Sequence, residues 1–247
     1  MSHESLLFTS ESVTAGHPDK LCDAISDAIL DACLQQDPHA RVACETMVKG
    51  TDDSSTIILA GEITCAPPQI DYGSVARKTA AAIGYTDHAF GMDAENCEVK
   101  LLISTQSPDI SQGVDQGDIN QGAGDQGLMF GFATNESESY PTLSGHFMPL
   151  SALLSQALTR RLTEVRENGL LPWSRPDGKS QVTVEYDGFT PVRVTKVVIA
   201  TQHDDMLEQY GSEEEELKFV KKEVIDHIII PVLDSYGICL LYTSPSP

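Results

Sequence analysis

Two short segments of this chain carry residue types suited to phosphate chemistry: Gly16-His17-Pro18-Asp19-Lys20 and Asp177-Gly178-Lys179-Ser180. His17 and Asp19 open a helical pattern, where free backbone N–H groups and positive partial charge favour anionic ligand groups. Asp19 can cap that helix; alternatively its carboxylate can hold Mg²⁺ next to phosphates. His17 can donate to a leaving-group oxygen. The second segment ends like a P-loop, but Trp173 stands where a Walker A motif needs glycine, so that reading is rejected. Lys179, just ahead of the strand pattern Gln181–Tyr186, is either a cation for a phosphate or a solvated loop lysine.

Glu45 and Glu62 each interrupt an apolar or small strand pattern, Val42–Thr46 and Leu59–Ile63. A carboxylate in such a place is costly unless it faces solvent or meets a cation. If the two strands pair, both carboxylates can line one face. The hexapeptide Gly122-Ala123-Gly124-Asp125-Gln126-Gly127 matches G-x-G-x-x-G. Polar residues precede it, however, and Leu128–Phe132 after it reads as strand, so the dinucleotide fingerprint fails its context. Its glycines imply either a close approach of backbone to ligand or a structural turn. No HExxH, G-x-S-x-G or thiolate motif offers a covalent nucleophile.

Periodicity supplies the scaffold for these residues. Leu21, Cys22, Ile25, Ile29, Ala32 and Cys33 predict a helix over about 18–36, with Asp23, Asp27 and Asp31 on another face and Pro38 as its stop. Arg41–Lys49 and Thr56–Thr64 are strand-like, and the polar Gly50–Ser55 between them predicts a hairpin. A helix over Ile70–Ile83, ending at Gly84, and a strand over Cys97–Ser104 follow. Ser107–Gln126 has few apolar anchors and reads as a loop or lid. Beyond it a helix is expected from about Met148 to Asn168, then strands Gln181–Tyr186 and Val192–His203, then a helix from Glu213 to about Ile229. Hairpin-like strand pairs between helices give an α+β fold, with repeated α/β-layer domains and mixed sheets, rather than a doubly wound one. The acidic Glu213–Glu216 and basic Lys218, Lys221 and Lys222 suit a helix dipole and need no functional account.

The chain's 247 residues suffice for one large domain or two ordinary ones, and its formal net charge is -21. That balance disfavours nucleic acid and anionic membrane surfaces as partners. A polyphosphate would have to be met by metal ions and a few local cations. The six cysteines are dispersed without a CxxC pair, which fits reduced thiols. With no signal-peptide pattern in Met1–Thr9 and no apolar run of membrane length, the expectation is a cytosolic protein.

In order along the chain, these segments resemble methionine adenosyltransferase (S-adenosylmethionine synthetase). The resemblance is carried by Phe8–Val13, Gly16–Lys20, Ala43–Thr46, Ala60–Thr64, Gln106–Ile110, Gly122–Asn135, Leu171–Trp173, Arg175–Asp177, Lys179–Val182 and Thr201–His203. It runs from about Leu7 to Leu233, and the glycine-rich hexapeptide is its most specific word. The family joins ATP and L-methionine: the sulfur attacks the ribose C5′ and expels tripolyphosphate, which is then hydrolysed to phosphate and diphosphate. By that resemblance His17 would stabilise the departing oxygen, Asp19 would ligate Mg²⁺ and Glu45 would hold K⁺. Glu62 and Gln106 would contact methionine, with Asp125 close to the substrates. Asp177, Gly178 and Lys179 would bind ATP, Lys179 on the phosphates. Gln106, Ser107, Pro108, Asp109, Ile110 and on to Gln116 would form a gating loop.

The implied fold has three similar α+β domains around a pseudo-threefold axis, two of them present here, with subunits paired as homodimers or dimers of dimers. The expected division is residues 5–109, a linker over 110–121, a central domain over 122–233, and an unaligned tail over 234–247. The turn Gly50–Ser55 and the stretch Ser139–Ser151 depart from the family pattern. The family's third domain, with further metal and phosphate ligands, has no counterpart after Leu233. The expectation is therefore a fragment with little activity alone and an exposed apolar sheet face. The alternative is a noncatalytic, subunit-like protein that pairs with a complete chain.

Overall fold

The computed structural model describes residues 5–51, 53–66, 70–105 and 127–238. They form two compact units, one of Pro18–Gly131 and one of Met1–His17 with Phe132–Pro247.

In the unit of Pro18–Gly131, helix α1 (Pro18–Gln36) buries Leu21, Ile25, Ile29 and Cys33. Their four-residue spacing puts them on one stripe, while Asp23, Asp27 and Asp31 are exposed. Strands β2 (Arg41–Gly50) and β3 (Ser55–Thr64) pair antiparallel. Their hairpin turn is closed by the Thr51 N–H donating to Ser54 O at 2.7 Å. Helix α2 (Tyr72–Ile83) is capped by the Asp71 carboxylate, and Gly84 ends it at φ 119°. It forms the crossover that a parallel pair requires. After a two-residue ladder of β4 (Thr86–Asp87) with β5 (Met92–Asp93), strand β6 (Glu98–Ser104) joins β3 in parallel. The sheet β2–β3–β6 is thus mixed, as expected. Ile57, Leu59 and Ile63 point into the core with α1 and α2.

The other face of this sheet carries Ala43, Glu45, Met47 and Lys49 of β2, Thr56, Ile58, Ala60 and Glu62 of β3, and Glu98, Lys100 and Leu102 of β6, with Lys100 3.2 Å from Glu98. Met47 and Leu102 are 57% and 66% exposed. The face is thus mixed, with exposed apolar side chains set among charged ones.

The second unit is built on an antiparallel sheet, β1 (Ser5–Val13), β7 (Ser174–Asp187) and β8 (Thr190–His203), in the order β1–β7–β8. Periodicity did not indicate β1, and it placed the start of β7 at Gln181. The reason lies in the inward residues, which are small and polar. Ser10 and Ser12 meet Ser151 and Thr159 of helix α3 (Leu150–Glu167) at 2.8 and 3.0 Å, and Ser180 Oγ donates to Ser155 O at 2.7 Å. Farther along, Leu154, Leu158 and Val165 pack on Val182, Val184 and Val194. Pro149 offers α3 no side-chain cap; Glu136 instead accepts from the Leu150 N–H and from the Tyr186 hydroxyl, the latter at 2.7 Å.

Two further expectations are corrected. Leu128–Phe132 is not a strand: it has no regular structure, and Leu128, Met129 and Phe130 are over four-fifths exposed. The last helix does not stop near Ile229. Helix α4 (Glu213–Val224) widens into a π turn over Ile225–Ile229 and continues as α5 (Ile230–Ser235). Pro231 has no N–H to offer the carbonyl of His227, four residues back. That carbonyl instead accepts from Arg161 Nε of α3 at 3.0 Å, which lets the chain pass the proline without ending the helix. Among the described residues no helix is long and apolar enough to cross a membrane.

Candidate functional site

The segment after β1 is clamped onto β7. Val13 pairs with Lys179; next, the buried Thr14 donates its N–H to Gly178 O at 2.9 Å and its hydroxyl to Pro176 O at 2.7 Å. The His17 N–H then closes on Thr14 O at 3.1 Å. Two glycines permit this closeness. A Cβ on Gly16 would lie 2.4–2.5 Å from Pro176 atoms, and one on Gly178 would lie 2.6 Å from Leu162 of α3. His17 is thereby fixed beside Asp177, although the residues it is held against lie some 160 positions later in the chain.

Alternation along β7 sends Ser174, Pro176, Gly178 and Ser180 inward and Arg175, Asp177 and Lys179 outward. Lys179 was expected in a loop or just ahead of a strand; it sits inside one, on the outward face. Its Nζ lies 3.6 Å from Glu11 of β1, and both side chains are about half exposed. Burial pushes the Asp177 carboxyl above its usual range, while His17, the Gly178 N–H and Lys179 pull the other way. The Asp177 N–H donates to Gln202 Oε1 at 3.4 Å. Arg175 is not available to a ligand in the same way: its guanidinium forks onto the Asp204 carboxylate and also donates to Pro172 O.

This row can meet an anion with Lys179 and orient it with backbone and His17. Glu11 and Thr14 were not among the residues anticipated. Glu11 gave only a period-two position on an unread strand. Thr14 acts through backbone carbonyls of a strand distant in sequence, which leaves no local signal.

Asp19 lies in the first turn of α1, in the other unit. Glu45 and Glu62 also belong there, and the hairpin register confirms one geometric expectation. Glu45 stands opposite Ala60 and Glu62 opposite Ala43, so the two carboxylates are diagonal neighbours on the outward face. Neither side chain has a hydrogen-bond or ion-pair partner among the described residues. Gln106, Ser107, Pro108, Asp109, Ile110, Gln116 and Asp125, together with most of the glycine-rich hexapeptide, lie outside the described residues.

Among the described residues no three Asp, Glu, His or Cys side chains gather as a ready metal cage. Oxygen donors such as Asp19 and Glu45 are the type that hard cations take. The five described cysteines are free, and burial raises the thiol pKa of Cys22, Cys33, Cys44 and Cys97, so no thiolate nucleophile emerges.

Residues 5–108 match the family model of the S-adenosylmethionine synthetase N-terminal domain, and residues 120–243 match that of the central domain.

Proposed function

Since the chain belongs to the S-adenosylmethionine synthetase family, we propose that it contributes to making S-adenosyl-L-methionine from ATP and L-methionine, with release of phosphate and diphosphate. The observation that carries this reading is the clamp of the His17 turn on Pro176–Gly178, which sets His17, Asp177 and Lys179 together on one sheet face. No protein nucleophile is required, because the methionine sulfur attacks C5′ of the ribose. The protein's share is to orient the two substrates, neutralise charge and exclude water.

In this reading Lys179 leaves Glu11 for the polyphosphate, a small loss because an exposed ion pair is worth little. His17 donates to the oxygen that departs from C5′. Asp177 and the Gly178 backbone hold the nucleotide. Asp19 would hold Mg²⁺ and Glu45 would hold K⁺; bound there, these ions supply positive charge that a chain of net charge -21 lacks. Glu62 faces the ammonium group of methionine, with Gln106 and Asp125 as further contacts and Gln106–Gln116 as the gate. A second copy of the chain covers the outward face that carries Met47 and Leu102.

The test is nucleotide binding and turnover together. The 247-residue chain is titrated with the non-hydrolysable adenylyl imidodiphosphate and Mg²⁺ by calorimetry. Product is then sought with ATP, L-methionine, Mg²⁺ and K⁺, following both S-adenosylmethionine and phosphate. Lys179→Ala should weaken nucleotide binding by at least tenfold. In any preparation that turns over, it should lower kcat by about 10²–10³, the loss typical of removing one preorganised charge donor. Nucleotide affinity unchanged by Lys179→Ala would refute the assignment.

A further inference from the structure

A groove of about 750 Å³ opens where Leu170–Trp173 lead into β7 and Asp204–Tyr210 leave β8, with Phe219 of α4 between them. Its floor is aromatic: Tyr210 stacks on Phe219 with centroids 4.6 Å apart, and Trp173 meets Phe219 edge-on at 6.0 Å. Leu170, 45% exposed, extends the apolar surface at one side. None of these residues belongs to the set anticipated for ATP, methionine or cations.

The groove's rim is acidic, and its charges are unequally used. The carboxylate of Asp204 is taken by Arg175, and that of Glu223 lies 3.7 Å from Lys222 and 3.4 Å from His227. Asp205 uses one oxygen to accept the Leu207 N–H at 2.9 Å and keeps the other. Glu208 is exposed and has no partner among the described residues. Two negative charges therefore stand over an aromatic floor, with no cation committed to either.

An aromatic surface under free carboxylates suits one kind of guest, a cation on an apolar stem. The stem lies on the rings while the charged head meets the ring faces and carboxylates. We propose that this groove docks an arginine side chain presented by a basic segment of a partner protein. Three features favour a side chain over a free ion. Leu170, Glu208 and Gln209 of its lining are exposed, so a backbone can remain outside it. The planar guanidinium both stacks on Tyr210 or Phe219 and forks onto Glu208 or Asp205. The strongly acidic chain also steers basic partners toward itself.

Trp173 is the only tryptophan of the chain and lies against the floor, so its fluorescence reports the groove directly. The full chain is titrated with a short tryptophan-free peptide of alternating leucine and arginine. The controls are the same peptide with citrulline for arginine, and N-ethylguanidinium as a free cation. A saturable change with the arginine peptide is expected, weakening as salt rises, and absent with citrulline. Glu208→Gln should weaken it about fivefold, the effect of one exposed charge contact. Glu208 is exposed at the surface, so this variant should keep the fold, and an unchanged melting temperature checks that. No saturable response, an equal response to citrulline, or an affinity indifferent to Glu208→Gln would overturn the proposal. Saturation by N-ethylguanidinium at the peptide's own concentration would overturn it in favour of a small-cation site.

Discussion

The outward faces of the two sheets differ in how their charges are settled. On β1–β7–β8, Lys179 lies near Glu11, Arg193 contacts Glu185 at 2.5 Å, and Arg175 is locked to Asp204. On β2–β3–β6, Glu45 and Glu62 stand diagonal to one another without a partner among the described residues, beside exposed Met47 and Leu102. The first face sets its carboxylates beside cations, although Leu7 and Val198 on it are 59% and 40% exposed. The second carries one settled pair, Lys100 with Glu98 at 3.2 Å, but leaves Glu45 and Glu62 as like charges close together beside bare apolar area, which is unfavourable on both counts. The contrast separates a face whose carboxylates Glu11 and Glu185 have cations beside them from one where Glu45 and Glu62 have none among the described residues.

The largest effect should come from the clamp that orders the first face. Gly16→Ala places a methyl group into the Pro176 backbone, so the turn must shift. An overpacking cost of about 1–3 kcal/mol is expected in chemical denaturation, with loss of nucleotide binding. Wild-type affinity in Gly16→Ala would show that the clamp does not position His17.

A second effect bears on the outward face of the hairpin. Replacing Met47 and Leu102 by lysine should reduce self-association in sedimentation experiments while leaving the melting temperature near its starting value, since both side chains are more than half exposed. A large drop in melting temperature would mean that they are core residues after all.

The most direct probe of the contrast is a matched pair of neutralisations. Glu185→Gln removes an acceptor for Arg193 and Ser5, whereas Glu62→Gln removes one of two unpaired like charges. The first should lower the melting temperature slightly and the second raise it slightly, both at low salt. Equal signs would erase the distinction. The Glu185 carboxyl is held below its usual range by its bonds to Arg193 and Ser5. Its contribution is therefore present above the unfolded-state pKa and fades as pH falls through the lower folded value.

Asp177 behaves in the opposite sense and gives the smallest expected change. Its folded pKa is raised by burial, so its contribution is favourable below the unfolded value and is lost as pH rises through the folded one. Asp177→Asn should slightly raise the melting temperature at neutral pH and flatten its dependence in the acid range, while weakening nucleotide binding. A lower melting temperature at neutral pH would argue that His17 and Lys179 outweigh burial.

Much of the unit of Pro18–Gly131 was legible because its elements obey simple periods. Leu21, Ile25, Ile29 and Cys33 mark a helix, and Ile57, Leu59 and Ile63 mark a strand. The other unit hid its key strand because Ser10 and Ser12 face a helix through hydroxyl contacts instead of apolar ones. Pro176 and Gly178 also look like turn residues, yet they lie in β7 at a register irregularity, where strand prolines are tolerated. His17, Asp177 and Lys179 were recognisable from their words. That they meet was not, because it depends on the β1–β7 register and on Thr14, which no local pattern encodes.

The pairing of β1 with β7 also sets an order of events during synthesis. Ser5 and Thr9 bond to partners 180 and 174 positions downstream, and the whole unit of α1, the hairpin, α2 and β6 lies between them. At about 5–20 residues per second, the first strand emerges roughly 10–40 s before its partner. The intervening unit can fold in that interval, while β1 waits with the backbone groups of its β7 ladder unpaired. The row of His17, Asp177 and Lys179, which needs both ends of that wait, is therefore among the last parts of the molecule to form. A ribosome stalled before β7 would carry a folded hairpin domain with no Lys179 for His17 to stand beside.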